Sequence, residues 1–402
     1  MSFPETADFL IAGGGVVGLT LALEIKSRFP DCTVVLLEKE DATGLHASGR
    51  NSGVLHAGFY YSSDSLKAKL TRQGNIEMTE YCLSHNINVN RCGKLVVTSN
   101  ERELGVLHEL ASRGRDNDVE LELLSEKDAR DIEPRVKTFE QALFSPTTSS
   151  INPGNVMQAL SRDAISAGIT ILTGVMYESS QGKTHHTSKG KIQSGYFINA
   201  AGLYADKIAK HFGFSQDYTI LPFKGLYLYS SEPEGNLRTN IYPVPDIEQP
   251  FLGVHFTLNA ENKIKIGPTA IPAFWRENYQ GLSGFNFREF AEIVAMEASL
   301  SIHNNFGFRH LALNEIQKIY KPKLVKLASR MLEGVVAEDY RQWAAPGIRA
   351  QLVNTRTRQL EMDFRYEGDD KSFHVLNAVS PAFTCAFPFS RLLADRIGEL
   401  IA

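Results

Sequence analysis

The chain opens on a short apolar run, Asp8 to Ala12, of the kind that becomes a buried parallel strand. A glycine turn, Gly13-Gly14-Gly15-Val16-Val17-Gly18, follows at once. From Val16 to about Phe29 the apolar residues Val17, Leu21 and Ile25 recur at four-residue spacing, so a helix is predicted to open inside that turn. Thr33 to Leu37 is a second β-branched and aliphatic run, and it ends at Glu38. Strand, turn, helix, strand and acid stand in the order of a βαβ unit.

Further along, a strand is predicted at Lys94 to Val97 and another element near Phe144, with charged, helix-periodic sequence from Glu101 to Asp131 between them. Ser179 to Gly195 is polar and holds Gln181-Gly182 and Lys189-Gly190, which predicts a hairpin or exposed loop; His185 and His186 then read as solvated loop residues. Tyr196 to Ala200 is a strand leading into Gly202. The pattern next turns β-rich, at Ile220 to Tyr229, Phe251 to Leu258 and Lys263 to Ile266. Lys263-Ile264-Lys265-Ile266 alternates with period two, as a half-exposed antiparallel strand should. Phe287 to Leu327 is mainly helical. Short strands near Gln351 to Val353 and His374 to Leu376 precede a last helix from about Phe389.

Two domains are expected from 402 residues, since single domains usually hold about 100–200. A composition of 43% hydrophobic and 22% charged residues belongs to a globular chain, not a disordered one. The 42 basic and 46 acidic residues leave a formal charge of -4, which offers a polyanion no overall attraction and argues against nucleic-acid binding. Cys32, Cys82, Cys92 and Cys385 form no Cys-x-x-Cys pair and no Cys/His spacing of the zinc type, so no metal is expected and a reducing compartment fits. No apolar stretch reaches the roughly 20 residues that cross a bilayer, and a first strand by Asp8 leaves no room for a signal peptide. The expected location is the cytoplasm, with membrane contact at most peripheral, at the inner face of the cell membrane.

Gly13 suits the tight turn, Gly15 a close approach of backbone to a pyrophosphate, and Gly18 close packing of helix on strand; the amides of Val16 and Val17 open the helix. Glu38, 20 residues after Gly18, stands where an acid accepts ribose hydroxyls, with Lys39 beside it. An adenine dinucleotide is therefore expected. A nicotinamide enzyme would continue soon into further parallel strands, whereas Gly44 to Tyr61 reads GLHASGRNSGVLHAGFYY. Its small residues Ser48, Gly49, Ser52 and Gly53, with Asn51 among them, let backbone approach a flat ring system, so flavin fits better.

HASGRNSGVLHAGFYY (46–61), SLKAKL (65–70), CGKLVV (92–97), NAAGLYADKIA (199–209), NIYPVPD (240–246), PFLGVHFT (250–257), PGIRAQLV (346–353) and NAVSPAFTCAF (377–387) are spread over nearly the whole chain. Through them the sequence resembles the D-amino-acid-oxidase-like flavoproteins, and within that class the L-2-hydroxyglutarate dehydrogenase or oxidase family. The glycine turn marks only the superfamily, while YPVPD with FLGVHFT is more specific.

The resemblance implies an α/β fold with a discontinuous Rossmann-like FAD-binding domain (1–90, 145–215 and 336–402). An α+β substrate domain with an antiparallel sheet would fill 91–144 and 216–335. It also implies that a hydride leaves C2 of a 2-hydroxy dicarboxylic acid for the flavin N5, giving a 2-oxo acid, with electrons passing on to a quinone of the respiratory chain or to oxygen. A base must take the hydroxyl proton, and histidine suits that work near neutral pH. His56 and His255 are the candidates, either of which could be the base. Arg349 is expected to bind a carboxylate, Lys224 a second carboxylate or the flavin, and Tyr61 to close the site. Val175, Ala201 and Gly202 are expected on the cofactor, as is Arg349. Pro381, Ala382, Phe383 and Thr384 should present amides to the flavin pyrimidine edge. Cys385 lies where some members of the wider class attach flavin, a bond this family does not require. Lys224, Leu226 and Thr269 depart from the arginine, acid and asparagine usual at these places, and the loop after Val175 is short. The rival readings are an amino-acid or amine oxidase of the same fold, acting on glycine or a D-amino acid, a glycerol-3-phosphate dehydrogenase-like enzyme, and a flavin-binding module without turnover.

Overall fold

The computed structural model describes residues 3–246 and 253–402. Its contacts divide the chain into two compact units. The first comprises 1–51, 153–221 and 349–402, and the second 52–152 and 222–348. Their cuts differ from the expected domain bounds at 52–90, 145–152 and 336–348, which pack in the second unit, and at 216–221, which pack in the first. The small sheet Val54–Leu55, Ser149–Ile151 and Val89–Asn90 is what gathers 52–90 and 145–152 together.

In the first unit, Thr170–Thr173, Val34–Glu38, Thr6–Ala12, Gly190–Asn199 and Ser372–Asn377 lie side by side as a parallel sheet. Thr6–Ala12 and Val34–Glu38 are apolar runs because both faces of such a sheet are covered. The helix Val16–Arg28, predicted from its four-residue spacing, packs against the final helix Ala386–Ile401, and the Thr20 and Ser390 hydroxyls meet at 2.7 Å. That last helix starts three residues before the expected Phe389, with Cys385 at its cap.

Ser179 to Gly195 is not an exposed loop but two tight hairpins, Tyr177–Gln181 with Thr184–Thr187 and the latter with Gly190–Asn199. His185 is buried there. Its ring bonds Ser180 and Ser194, both at 2.7 Å, stacks on Phe197 at 4.8 Å, and has its pKa pushed down to about 4 by burial. Its neighbour His186 points the other way, as period two requires.

The second unit is built on an eight-stranded sheet in the order Tyr340–Trp343, Leu228–Ser230, Ile264–Gly267, His255–Leu258, Asn240–Pro243, Lys94–Val97, Gln141–Ser145 and Glu122–Ser125. Only the pairing of Asn240–Pro243 with Lys94–Val97 is parallel; the other pairings are antiparallel. Across five strands the row Leu95, Ile241, Phe256, Ile266 and Leu228 is apolar throughout. It forms one face of a core that the helix Lys321–Ala328 closes with Leu324, Val325 and Ala328.

The stretch Ile220 to Tyr229 is two strands, Tyr218–Gly225 and Leu228–Ser230. Thr269 secures the break: its hydroxyl donates to the Lys224 carbonyl and accepts from the Leu226 amide, each at 3.0 Å. Pro250, Phe251 and Leu252 of the PFLGVHFT motif lie outside the described residues, and the strand there runs His255–Leu258. The largest departure concerns Ile264–Gly267. Its alternation is real, yet all four residues are buried, Lys265 included, so the strand is not half-exposed.

Candidate functional site

In the first unit the turn between strand and helix is held by its own backbone. The Gly13 amide donates to Leu37 and the Gly14 amide to Glu38 Oε2 at 3.0 Å, while Glu38 Oε1 accepts from Glu40 N at 2.9 Å. Gly13 has φ +114, and a Cβ there would stand 2.4 Å from the Ala200 carbonyl oxygen. At Gly18 a Cβ would stand 1.9 Å from the Gly13 carbonyl oxygen. Gly15 is different, because an added Cβ would meet only the Ser48 hydroxyl, at 3.1 Å. That hydroxyl accepts from the Val16 amide at 2.9 Å, and Asn51 holds Ser48 in turn through the Ser48 carbonyl at 2.7 Å.

The helix Val16–Arg28 has no acid in its first turn and two bases, Lys26 and Arg28, in its last. Its N-terminus therefore keeps an unopposed partial positive charge, with Val16 and Val17 at the opening. These residues fit an adenine dinucleotide: the turn and helix opening for the pyrophosphate, and buried Glu38, already an acceptor of amides, for the ribose.

Around the same strand ends stand other expected cofactor residues. Val175 N donates to the Glu38 carbonyl at 2.9 Å, and Lys39 pairs with Glu40 and lies 5.8 Å from the Tyr204 ring. Ala201 and Gly202, the latter at φ +53, lead into the single turn Gly202–Tyr204. Gly49 sits in the turn with Ser48, its amide donating to His46. Pro381, Ala382, Phe383 and Thr384 form the turn before the last helix, with Ala382 and Thr384 buried. Arg349 is half-buried on the strand Gly347–Asn354. Ser52 and Gly53 pack instead with the second unit, where their carbonyls accept from Lys265 Nζ at 2.9 Å and Ile151 N at 2.8 Å.

The second unit gathers the other candidates on the sheet face opposite the apolar row. Residues next to that row, Lys94, Tyr242, His255, Lys265 and Tyr229, point to this second face. The segment 54–61 covers part of it. Asn75, on the helix Leu66–Ser84, pins this segment through the carbonyls of Leu55 and His56 at 3.1 and 3.2 Å, and Asn117 does so through Gly58 and Tyr61. Phe59, Val96, Leu107 and Leu143 pack together beneath.

His255 is buried and its ring lies on that of Tyr242, 3.7 Å between centroids and 14° from parallel. Its Nδ1 is 2.8 Å from the Gly253 carbonyl, which can only accept. Nδ1 therefore carries the proton and Nε2 the lone pair. Burial pushes its pKa down to about 3, and the charged side chains that bear on it, His56, Lys94 and Lys265, are all basic and push the same way. Lys265 is brought to about 8 by burial and lies 4.7 Å from the Tyr227 ring. Lys224 is half-buried, and desolvation lowers its pKa too. Tyr61 is half-buried with the buried Lys67 over its ring at 5.8 Å.

Lys94 and Lys265 were not among the residues expected from sequence. Lys94 opens an apolar strand and Lys265 stands in an alternating one, patterns that read as a strand end and a wetted face. What distinguishes them is burial, and that comes from segments far away in the chain.

The family model described as FAD dependent oxidoreductase matches residues 8–396. The mitochondrial L-2-hydroxyglutarate dehydrogenase of Nematostella vectensis is 35% identical, over 98% of this chain and 91% of that protein. The L-2-hydroxyglutarate dehydrogenase of Escherichia coli K12 is 32% identical, over 98% and 94%. Among solved structures, the FAD-bound L-alpha-glycerophosphate oxidase of Mycoplasma pneumoniae superposes with a TM-score of 0.77 at 22% identity, covering 99% of this chain and 95% of that one, which is a likeness of fold. Kinship of this extent leaves one assignment: the chain belongs to the FAD-dependent oxidoreductase family, with the L-2-hydroxyglutarate dehydrogenases as its full-length relatives.

Proposed function

We propose that the protein oxidises L-2-hydroxyglutarate to 2-oxoglutarate with FAD as cofactor, the first unit serving as FAD-binding domain and the second as substrate domain. The observation that carries this reading is the buried sheet face, where a histidine with an unprotonated Nε2 lies on the Tyr242 ring and the charged side chains that bear on it are all basic. Such a face attracts a dicarboxylate and keeps its base ready. FAD, when bound on Gly13, Gly15, Gly18 and Glu38, supplies the two-electron acceptor.

His255 Nε2 takes the proton of the C2 hydroxyl, and its Nδ1–H bond to Gly253 holds the ring in the tautomer that can do so. Lys265 places positive charge near the alkoxide that develops. Arg349 and Lys224 serve the carboxylates, and Tyr61 orders the Lys67 side chain that lies over its ring. An amine substrate of the rival oxidase would need no such base and would enter this cationic face only as the neutral amine.

Anaerobic mixing of the FAD-loaded protein with L-2-hydroxyglutarate should bleach the flavin absorbance, and His255→Asn should lower kcat/KM by about 10²–10⁴ with FAD content unchanged. Bleaching by glycine or D-alanine but not by the hydroxy acid would replace this reading with the amino-acid oxidase one. Bleaching by none would leave a flavin-binding module.

A quinone or oxygen completes the turnover, and a peripheral membrane contact accompanies the quinone route. Supporting the contact, the helix Phe287–His303 exposes Phe287, Ala291, Ala295, Ala298 and Ile302 along one side, with exposed Arg288, Arg309 and His310 near its ends to meet anionic lipid. Among the described residues no helix is long and apolar enough to cross a membrane. Flotation with phosphatidylglycerol vesicles should carry the protein up and Phe287→Ser/Ile302→Ser should leave it behind; equal recovery of both would remove the contact, and a concentration-dependent dimer lost in the variant would reassign the stripe to self-association.

A further inference from the structure

We infer that Lys94 is a positioning residue for the reaction: its ammonium, caged by the rings of Phe59, Tyr60 and Tyr242, holds the His56 segment on the His255 strand and opposes a second positive charge beside it. This rests on the proposed role of His255 as the proton acceptor.

The Lys94 side chain is fully buried, and its Nζ has no hydrogen-bond partner among the described residues. It lies 4.5 Å from the ring centroid of Phe59, 4.5 Å from Tyr60 and 5.0 Å from Tyr242. Three aromatic faces around one ammonium form a cation–π cage, which is worth most where water is excluded. Two of these rings belong to the segment that carries His56 and Tyr61. The third is the ring on which His255 lies. One side chain thus joins the two elements that bear the candidate histidines.

Its charge acts as well. The titratable groups facing this cluster are His56 and Tyr60 from the covering segment, Cys92 before the Lys94 strand, Tyr242 and Tyr227 from the neighbouring strands, and Lys265, beyond which Glu261 acts on Lys265. Burial raises both Tyr60 and Tyr242, so neither becomes an anion that would neutralise Lys94 at working pH. Burial also brings Lys94 itself down to about 7. Below that pH the lysine is an ammonium and opposes a second positive charge on His255; above it His255 is neutral in any case.

Charge and shape separate in two variants. Lys94→Met keeps the length of the side chain and removes the charge, while Lys94→Arg keeps a cation that can lie against aromatic rings. In the FAD-loaded protein labelled with [¹³Cε1]histidine, with His255 assigned through His255→Asn, Lys94→Met should move the His255 titration upward by about half a pH unit or more. The acid limb of kcat/KM for L-2-hydroxyglutarate should move with it, and Lys94→Arg should hold both near the wild-type position. An unchanged His255 titration in Lys94→Met overturns the inference, and so does an equal shift in the arginine variant. If Lys94→Met does not fold, Lys94→Gln answers the same question. The resonance reads Lys94 even in a protein that oxidises no hydroxy acid, so loss of the proposed activity and loss of this coupling are told apart.

Discussion

Alanine at position 18 is expected to give a protein that purifies colourless and takes up no FAD when supplied. The new Cβ would stand 1.9 Å from the Gly13 carbonyl oxygen, a backbone atom, so no side chain can swing aside to admit it. Gly13 cannot retreat either, since its amide is bonded to Leu37 at 2.8 Å and the Ala200 carbonyl fills the space where its own Cβ would stand. The helix must therefore lift off the strand, which carries the Val16 and Val17 amides away from where a pyrophosphate would lie. Overpacking of this kind costs about 1–3 kcal/mol, and here it falls on the groups that bind the cofactor. The absorbance ratio at 450 and 280 nm after incubation with FAD measures it. Gly105→Ala, at an exposed position of the helix Glu101–Asp116 with nothing within 4 Å of the added Cβ, is the control and should stay yellow. A fully loaded Gly18→Ala protein would move the dinucleotide away from this turn.

Lys94→Met is expected to make the protein more stable at neutral and mildly acid pH, even as it disturbs His255. An unfolded chain returns the ammonium to its ordinary value of 10.5, whereas burial holds it at about 7 in the folded one. Such a difference costs the folded state on the order of 5 kcal/mol, from about 1.4 kcal/mol per pH unit. The cost is complete below pH 7, shrinks as pH rises from 7 to 10.5, and vanishes above. Loss of the aromatic cage subtracts about 0.5–2 kcal/mol per ring from the benefit of removing it. Over the three rings the balance at pH 6 runs from a loss of about 1 to a gain of about 3.5 kcal/mol, a gain over most of that span, and it fades toward pH 10. Denaturation midpoints across that range check the prediction. A variant that is less stable at pH 6 would mean that the cage outweighs the desolvation. A lysine retained at such cost is hard to account for by packing alone, because methionine fills the same volume; a working role for its charge accounts for it.

The division between what sequence shows and what folding adds runs along particular residues. Val17, Leu21 and Ile25 marked the first helix to within a residue, and Asp8 to Ala12 and Thr33 to Glu38 marked its flanking strands, because periodicity records which side of an element avoids water. The glycine turn with Glu38, and the motifs spread from residue 46 to 387, were enough to name the cofactor and the family. The strand at Lys263 to Ile266 shows where this stops. Its period of two is borne out, but alternation alone predicts that the polar residues face water. In the fold Lys263 does face water, but Lys265 is buried, donating to the Ser52 carbonyl at 2.9 Å and lying 4.7 Å from the Tyr227 ring. His185 was misread in the same way, since two glycine turns around a polar stretch resemble a loop until its neighbours Phe197 and Ser194 are brought beside it.

The dinucleotide turn, the order of the elements, the flavin and the kinship are all legible along the chain, because each is carried by residues near one another in it. Packing puts Lys94 and Lys265 inside, lays the His255 ring on Tyr242, and leaves His56, Lys94 and Lys265 as the charged side chains that bear on it. The burial of the two lysines follows from contacts across 34 to 213 positions of sequence, such as Tyr60 on Lys94 and Ser52 on Lys265. Alternation along a strand states that two faces differ, and the long-range packing of other segments states which of them is dry.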